Sequence, residues 1–308
     1  MNRCPISYEP CGDAKYSKEG LTLLARGLNG LNDIPLTQEE QLREAALRAT
    51  KMSIQGIQPK LSAVLKVRSA SFEIVDQGGR FILKPQSNLY PELPENEDLT
   101  MRLAEAAGLE IPLHGMVYSQ DNRLTYFVRR FDRYGRNGKH SLEDFAQLAG
   151  RSRETKYDFS MERVAEIIDR YCTFPVVEKV KLFRLTLFNF LVGNEDQHLK
   201  NFSLITREGK VSLSPGYDLI NTTIALAGPA EEIALPLMGK KRNLTRKTLL
   251  DYWGRERLGL NEKTVHNVLS DLERALPECR ELIEKGFLSD TMREKYLELF
   301  TERTRILR

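Results

Sequence analysis

Apolar and polar positions change their spacing twice along the chain. Thr37-Gln38-Glu39-Glu40 has the form of a capping box, in which a hydroxyl and a carboxylate satisfy free N–H groups at a helix start. A helix is predicted from there to about residue 50, preceded by 36 irregular residues holding one short helix around 20–28. Residues 61–67, 72–75 and 80–84 are rich in apolar and β-branched side chains and predict strands, with Gln77-Gly78-Gly79 as a hairpin turn. Residues 95–107 return to helical spacing and stop at Gly108. Residues 115–119 and 123–131 predict another antiparallel pair around Gln120-Asp121-Asn122.

Beyond Asp132 helices dominate. Ser141 is expected to cap a helix through Leu148, and Ser160 one through about Tyr171. Residues 176–192 are apolar on most sides, which predicts a central buried helix. A short hairpin is expected at 202–205 and 210–213, and helices with charged outer faces from about 243. The layout is α+β and bilobal. A sheet-containing N-lobe over 1–131 precedes a mostly helical C-lobe over 132–308, with a cleft expected between them.

Composition narrows the function classes. The 308 residues are 41% hydrophobic and 29% charged, a globular balance. No apolar run approaches the roughly 18 residues that span a bilayer, so no membrane partner is expected. The opening residues lack the apolar stretch of a signal peptide. Lys and Arg number 46 and Asp and Glu 43, a net charge of +3 that gives no reason to expect direct nucleic-acid binding. The four cysteines, at 4, 11, 172 and 279, are too scattered for a disulfide scaffold and fit a reducing, cytoplasmic setting.

The informative stretch is Gly193-Asn194-Glu195-Asp196-Gln197-His198-Leu199-Lys200-Asn201, where the buried helix gives way to a strand. Asp196 and Asn201 have the spacing of the catalytic Asp and metal-binding Asn of protein kinases. That chemistry needs one carboxylate to take the acceptor hydroxyl's proton and a neutral oxygen ligand to hold Mg²⁺ beside it. Asp218, in Tyr217-Asp218-Leu219 after the short hairpin, supplies a second metal ligand. Lys84, ending Phe81-Ile82-Leu83-Lys84, fits the lysine that binds nucleotide phosphates, and Glu97 in the next helix fits its carboxylate partner. There is no Gly-x-x-x-x-Gly-Lys-Ser/Thr, no Gly-x-Ser-x-Gly and no His-Glu-x-x-His, which excludes a Walker-type ATPase and the common hydrolase signatures.

These motifs together resemble the HipA family of bacterial serine/threonine kinases, the toxin arm of toxin–antitoxin systems. Residues 53–61, Ser-Ile-Gln-Gly-Ile-Gln-Pro-Lys-Leu, resemble its phosphate loop, with Ser53, Gly56, Gln58 and Lys60 as the residues of interest. Residues 81–85 resemble its nucleotide-lysine strand, and Asn96-Glu97 with 101–104 its first lobe helix. Val128-Arg129-Arg130-Phe131-Asp132-Arg133 resembles its hinge, and 194–201 with Tyr217-Asp218 its catalytic and metal segments.

The resemblance implies ATP and Mg²⁺ as cofactors. It implies Asp196 as catalytic base, with His198 and Lys200 beside the phosphates or the acceptor, and Asn201 and Asp218 holding Mg²⁺. Lys84 would bind the α- and β-phosphates. Arg129 and Phe131 would offer backbone groups to adenine, and Asp132 would approach the ribose. Arg129 stands where the best-known hinge pattern has an acid.

Family members autophosphorylate a serine of the phosphate loop, and Ser53 occupies that position. Relatives phosphorylate aminoacyl-tRNA synthetases, the substrate class implied here. Only about 50 residues precede the phosphate loop, so the chain resembles the short, HipT-like form of three-component HipBST-type systems. The partners this implies are a small HipS-like antitoxin module protein and a HipB-like DNA-binding protein. The same residues also admit two other readings, a lipid or small-molecule kinase and a degenerate kinase acting as a binding module.

Overall fold

In a computed structural model of the chain, residues 2–48, 58–152, 154–226 and 231–308 are described. The expectations for Ser53 and Gly56 lie outside the described residues. The chain divides into two compact units, one of residues 1–99, 112–137 and 285–288 and one of 100–111, 138–284 and 289–308.

The division differs from the expected boundary at 131/132, and the Leu93–Ala106 helix is the reason. Its second half belongs with the helices of the second unit. Thr100 Oγ1 lies 2.9 Å from the Tyr296 hydroxyl, and Arg184 donates to the Ala107 carbonyl at 3.0 Å.

The first unit is built on a five-stranded antiparallel sheet. Its spatial order is Ser71–Ile74, Leu61–Lys66, Phe81–Lys84, Leu124–Arg129, His114–Tyr118. Leu61, Ala63, Phe72, Phe81, Leu83 and Phe127 pack into one core with Cys4, Leu24 and Ile34 from the N-terminal segment. The Gln38–Arg48 helix starts with the expected box, the Thr37 N–H donating to Glu40 Oε2 and the Glu40 N–H to Thr37 Oγ1.

The turn at 77–79 does not close a hairpin. The strands before and after it both pair with Leu61–Lys66, on opposite edges, so the chain crosses the end of that strand. Gly79 is required there, because a Cβ on it would lie 1.8 Å from Ser62 Oγ. Alternation along a strand reports its faces and is silent about its neighbour, which is why the turn read as a hairpin.

The second unit centres on the Pro175–Val192 helix. Pro175 starts it with a fixed φ and no N–H to leave unpaired. From Leu182 onward Phe183, Leu187, Phe188, Phe190, Leu191 and Val192 are buried, each contributing about 1.5–3 kcal/mol. Glu178 in the first turn is also buried, and its Oε2 accepts the Leu213 N–H at 2.9 Å. A carboxylate there suits the positive end of the helix dipole and ties the helix to the Ser203–Arg207 and Lys210–Leu213 hairpin.

Ser141 does not cap a helix. Ser141–Asp144 is a strand that pairs antiparallel with Ser203–Arg207 and adds a third strand to that hairpin. The helix begins after it at Phe145–Leu148, capped by Asp144, whose Oδ1 accepts the Gln147 N–H at 2.8 Å. Asp144 is the cap because Gln147 returns the reciprocal bond, while Ser141 lies three residues earlier in the strand, opposite Thr206. Met161–Tyr171, capped by Ser160, and Thr248–Arg257, Glu262–Lys285 and Asp290–Leu307 complete the unit.

Candidate active site

In the first unit Lys84 is the last residue of the central strand, directly opposite Tyr126 in the neighbouring strand. Its side chain is 2% exposed and its Nζ lies 2.5 Å from Oε1 of Glu97, itself 1% exposed. The Tyr126 ring lies under the ammonium at 5.7 Å. A buried ammonium is tolerated only with such a partner, so strand and helix together fix Lys84. The helix carries two more buried carboxylates. Asp98 Oδ1 is 2.8 Å from His114 Nδ1, and both Glu95 oxygens accept from the Gln86 amide at 2.8 Å.

The hinge residues are placed less openly than expected. The Arg129 N–H donates to the Leu113 carbonyl at 2.8 Å, which removes that donor from any adenine. Phe131 is half-buried. Asp132 is buried, and Arg130 holds both its oxygens at 3.0 and 2.9 Å, with Arg133 at 3.5 Å. Asp132, the carboxylate expected at a ribose, is thus paired with an arginine of the hinge itself. Gln58 and Lys60, half-buried, lead into the Leu61–Lys66 strand.

In the second unit the Pro175–Val192 helix stops at Gly193, whose φ of 65° is left-handed. The Gly193 carbonyl accepts the Thr222 and Thr223 N–H groups at 3.1 and 3.2 Å, so the loop that starts there is tied to the segment after Asp218. Glu195 reinforces the tie. Its N–H donates to Thr222 Oγ1 at 2.7 Å, and its carboxylate accepts from Thr223 Oγ1 at 2.5 Å and the Glu231 N–H at 3.0 Å.

Within the loop each amide braces another residue. Asn194 Oδ1 accepts the Asp196 N–H at 3.1 Å, and the Gln197 amide donates to the Asn201 carbonyl at 2.7 Å. The Asn201 amide donates one N–H to the Asp196 carbonyl at 2.8 Å, and its amide oxygen could serve as a metal ligand. The Asp196 side chain is 49% exposed on this rigid frame. His198 is buried and its Nε2 lies 3.8 Å from Asp196 Oδ1. Burial, reinforced by the charge of Lys156 and opposed by Asp196 and Asp218, lowers its pKa and keeps the imidazole neutral. Lys200 lies 3.9 Å from Asp144.

Asp218 holds a left-handed φ of 54°, a conformation that Asp tolerates better than most side chains. Tyr217 secures it from the side. Its hydroxyl donates to the Lys200 carbonyl at 3.0 Å and pairs with Ser203 Oγ at 2.5 Å. The donor set of an amide oxygen and a carboxylate, with nucleotide phosphates and waters completing the shell, fits Mg²⁺.

Sequence reasoning missed Tyr157. Its hydroxyl donates to Asp196 Oδ1, and its ring meets the His198 ring edge-on at 5.0 Å. No spacing signal links residue 157 to residue 196. The contact exists only because the segment before Met161–Tyr171 is bound to the loop, the Lys156 carbonyl accepting the Leu199 N–H at 3.3 Å.

A family model of the HipA-like C-terminal domain matches residues 52–279. The chain belongs to this HipA-like family. A Haemophilus influenzae protein bearing the name "Putative kinase" is 29% identical over 265 residues, 78% of this chain and 75% of its own length. The similarly named Y4mE of Sinorhizobium fredii is 31% identical over 71% of this chain. The serine/threonine-protein kinase toxin HipA of Shewanella oneidensis is 27% identical over 56% of it. The HipA-like chain spans only 52% of Y4mE and 43% of that toxin.

Among solved structures, the fold is similar to the Shewanella oneidensis MR-1 toxin–antitoxin complex of HipA, HipB and operator DNA. The TM-score is 0.69 at 23% identity, covering 91% of this chain and 73% of that one. It is also similar to the Helicobacter pylori proinflammatory kinase CtkA, with TM-score 0.54 at 16% identity, covering 73% and 86%. The fold is kinase-like α+β, and the named relatives are kinases at family level.

Proposed function

We propose that this protein is an ATP- and Mg²⁺-dependent serine/threonine protein kinase and the toxin of a toxin–antitoxin system, acting in the cytoplasm. The observation that carries the reading is the Asp196 loop. A half-exposed carboxylate stands on a hydrogen-bonded frame, and Asn201, five positions on, is held to it by an amide N–H donated to the Asp196 carbonyl. In this reading Asp196 accepts the proton of the acceptor hydroxyl as that oxygen attacks the γ-phosphorus. Asn201 and Asp218 hold Mg²⁺, which offsets phosphate charge when bound.

Lys84, fixed by Glu97, receives the α- and β-phosphates. His198 stands beside Asp196 neutral and buried. Lys200 stands beside the phosphates or the acceptor. Positioning and electrostatics then carry the catalysis. Asp132 is assigned to holding the hinge through Arg130. The substrate class is a translation component such as an aminoacyl-tRNA synthetase. Ser53 is the autophosphorylation site, whose near-dianionic phosphate would be repelled by those of ATP.

Phosphoproteomics of cells expressing the wild type beside Asp196→Ala tests all of this. The wild type should show phosphorylated Ser53 and a small set of new phosphoserine or phosphothreonine sites, and Asp196→Ala neither. Transfer that persists unchanged in Asp196→Ala overturns the kinase assignment, and a different labelled serine overturns the role of Ser53.

A further inference from the structure

The segment before the Met161–Tyr171 helix contributes a side chain that nothing in the catalytic motif anticipates. Arg151 and Asp158 pair at 3.2 Å, the Asp158 N–H donates to the Thr155 carbonyl at 3.0 Å, and Phe159 is buried. Tyr157 lies within this segment and is 38% exposed. Its ring edge meets His198, the ammonium of Lys156 lies 4.9 Å from its centroid, and that of Lys241 lies 5.8 Å away. Burial of the hydroxyl and the Asp196 charge push the phenol pKa up, so the group remains a donor at any physiological pH.

The donor is spent on one oxygen of one residue. Asp196 Oδ1 accepts the Tyr157 hydroxyl, while Oδ2 makes no hydrogen bond to a described residue and the side chain is 49% exposed. A carboxylate on a single χ1–χ2 pair swings freely unless something holds one of its oxygens. With Oδ1 fixed, Oδ2 has one direction in which to present its lone pairs.

We infer that Tyr157 is a positioning residue for phosphoryl transfer, holding Asp196 by Oδ1 so that Oδ2 receives the acceptor hydroxyl. The inference rests on the kinase reading, with Asp196 as base. The proton balance is that of the proposed reaction. The acceptor O–H bond breaks, its proton goes to Oδ2, its oxygen bonds to the γ-phosphorus, and ADP leaves with the bridging electron pair. The Tyr157 O–H bond stays intact throughout.

The test compares Tyr157→Phe and Tyr157→Ala with the wild type and Asp196→Ala, in full-length protein, using labelled ATP and a serine-containing protein acceptor. Tyr157→Phe keeps the ring on His198 and loses only the hydroxyl. Its kcat should fall roughly 10- to 100-fold, the loss expected for a hydrogen bond to a charged group, with the KM for ATP and the melting temperature unchanged. Tyr157→Ala should show the same kcat as Tyr157→Phe.

A Tyr157→Phe enzyme with wild-type kcat beside an impaired Tyr157→Ala makes the ring mere packing and overturns the inference. A Tyr157→Phe enzyme with raised kcat overturns it as well, since the hydroxyl would then block the acceptor's place. Should Tyr157→Ala fold poorly, Tyr157→Phe alone decides. Transfer that survives in Asp196→Ala fails the kinase reading itself. A dead Asp196→Ala with an unaffected Tyr157→Phe fails only the role of Tyr157.

Discussion

Three carboxylates lie buried within four residues of one helix, and each has a different partner. Glu97 has the Lys84 ammonium, Asp98 has His114, and Glu95 has only the neutral Gln86 amide. Burial, aided by the charges of Glu92 and Asp98, pushes Glu95 from an ordinary 4.5 up to about 7 against the pull of Gln86. The folded state then binds that proton more tightly than the unfolded chain. The stabilisation is complete below the unfolded value near 4.5 and is lost as pH rises through about 7. It amounts to something on the order of 3 kcal/mol. Glu95→Gln should flatten the dependence of the urea midpoint on pH across that window. An unchanged slope would show that Glu95 does not titrate there. The Lys84–Glu97 pair was legible because residue type and element order placed a lysine at a strand end and a carboxylate on the next helix. Tyr157 was not, because a hydrogen bond between segments 39 residues apart leaves no trace in local spacing.

At the scale of elements, the strands, the buried helix and its stop at Gly193 follow from local pattern. The stop is also where the site begins. A Cβ on Gly193 would lie 2.5 Å from Leu299 Cδ2 and 2.6 Å from Thr223 Oγ1, on top of a left-handed φ. Backbone strain of roughly 1–2 kcal/mol and overpacking of about 1–3 kcal/mol should add in Gly193→Ala. Denaturant unfolding should show a loss of about 2–5 kcal/mol, and phosphoryl transfer should drop with it, because Thr223 also holds Glu195. Wild-type stability and activity would show that the loop relaxes without cost. Two elements were misread, and both errors concern pairing. Residues 141–144 look like a helix start in isolation and become a strand because Ser203–Arg207 offers an open edge. The 77–79 turn looks like a hairpin and becomes a crossover because Leu61–Lys66 takes both neighbours.

For the whole molecule, the prediction concerns partners. The proposed toxin function makes this a kinase regulated by partners rather than a solitary enzyme. Expression of the kinase with its neighbouring genes should yield a complex containing a small module protein and a DNA-binding protein on size-exclusion chromatography. A kinase that elutes alone and is fully restrained without them would sink the three-part arrangement. The sequence by itself determined the α+β class, the order of lysine, glutamate, aspartate, asparagine and aspartate, and the resemblance that names the chemistry. These reside in spacing along single elements and in residue types, which local physics constrains. Only the tertiary structure decided that residues 100–111 leave the sheet unit for the helical one, that Arg130 closes on Asp132, and that Tyr157 reaches Asp196. Each of those is set by which surfaces pack and which polar groups must find partners once water is removed. That is a property of the folded whole and not of any stretch of chain.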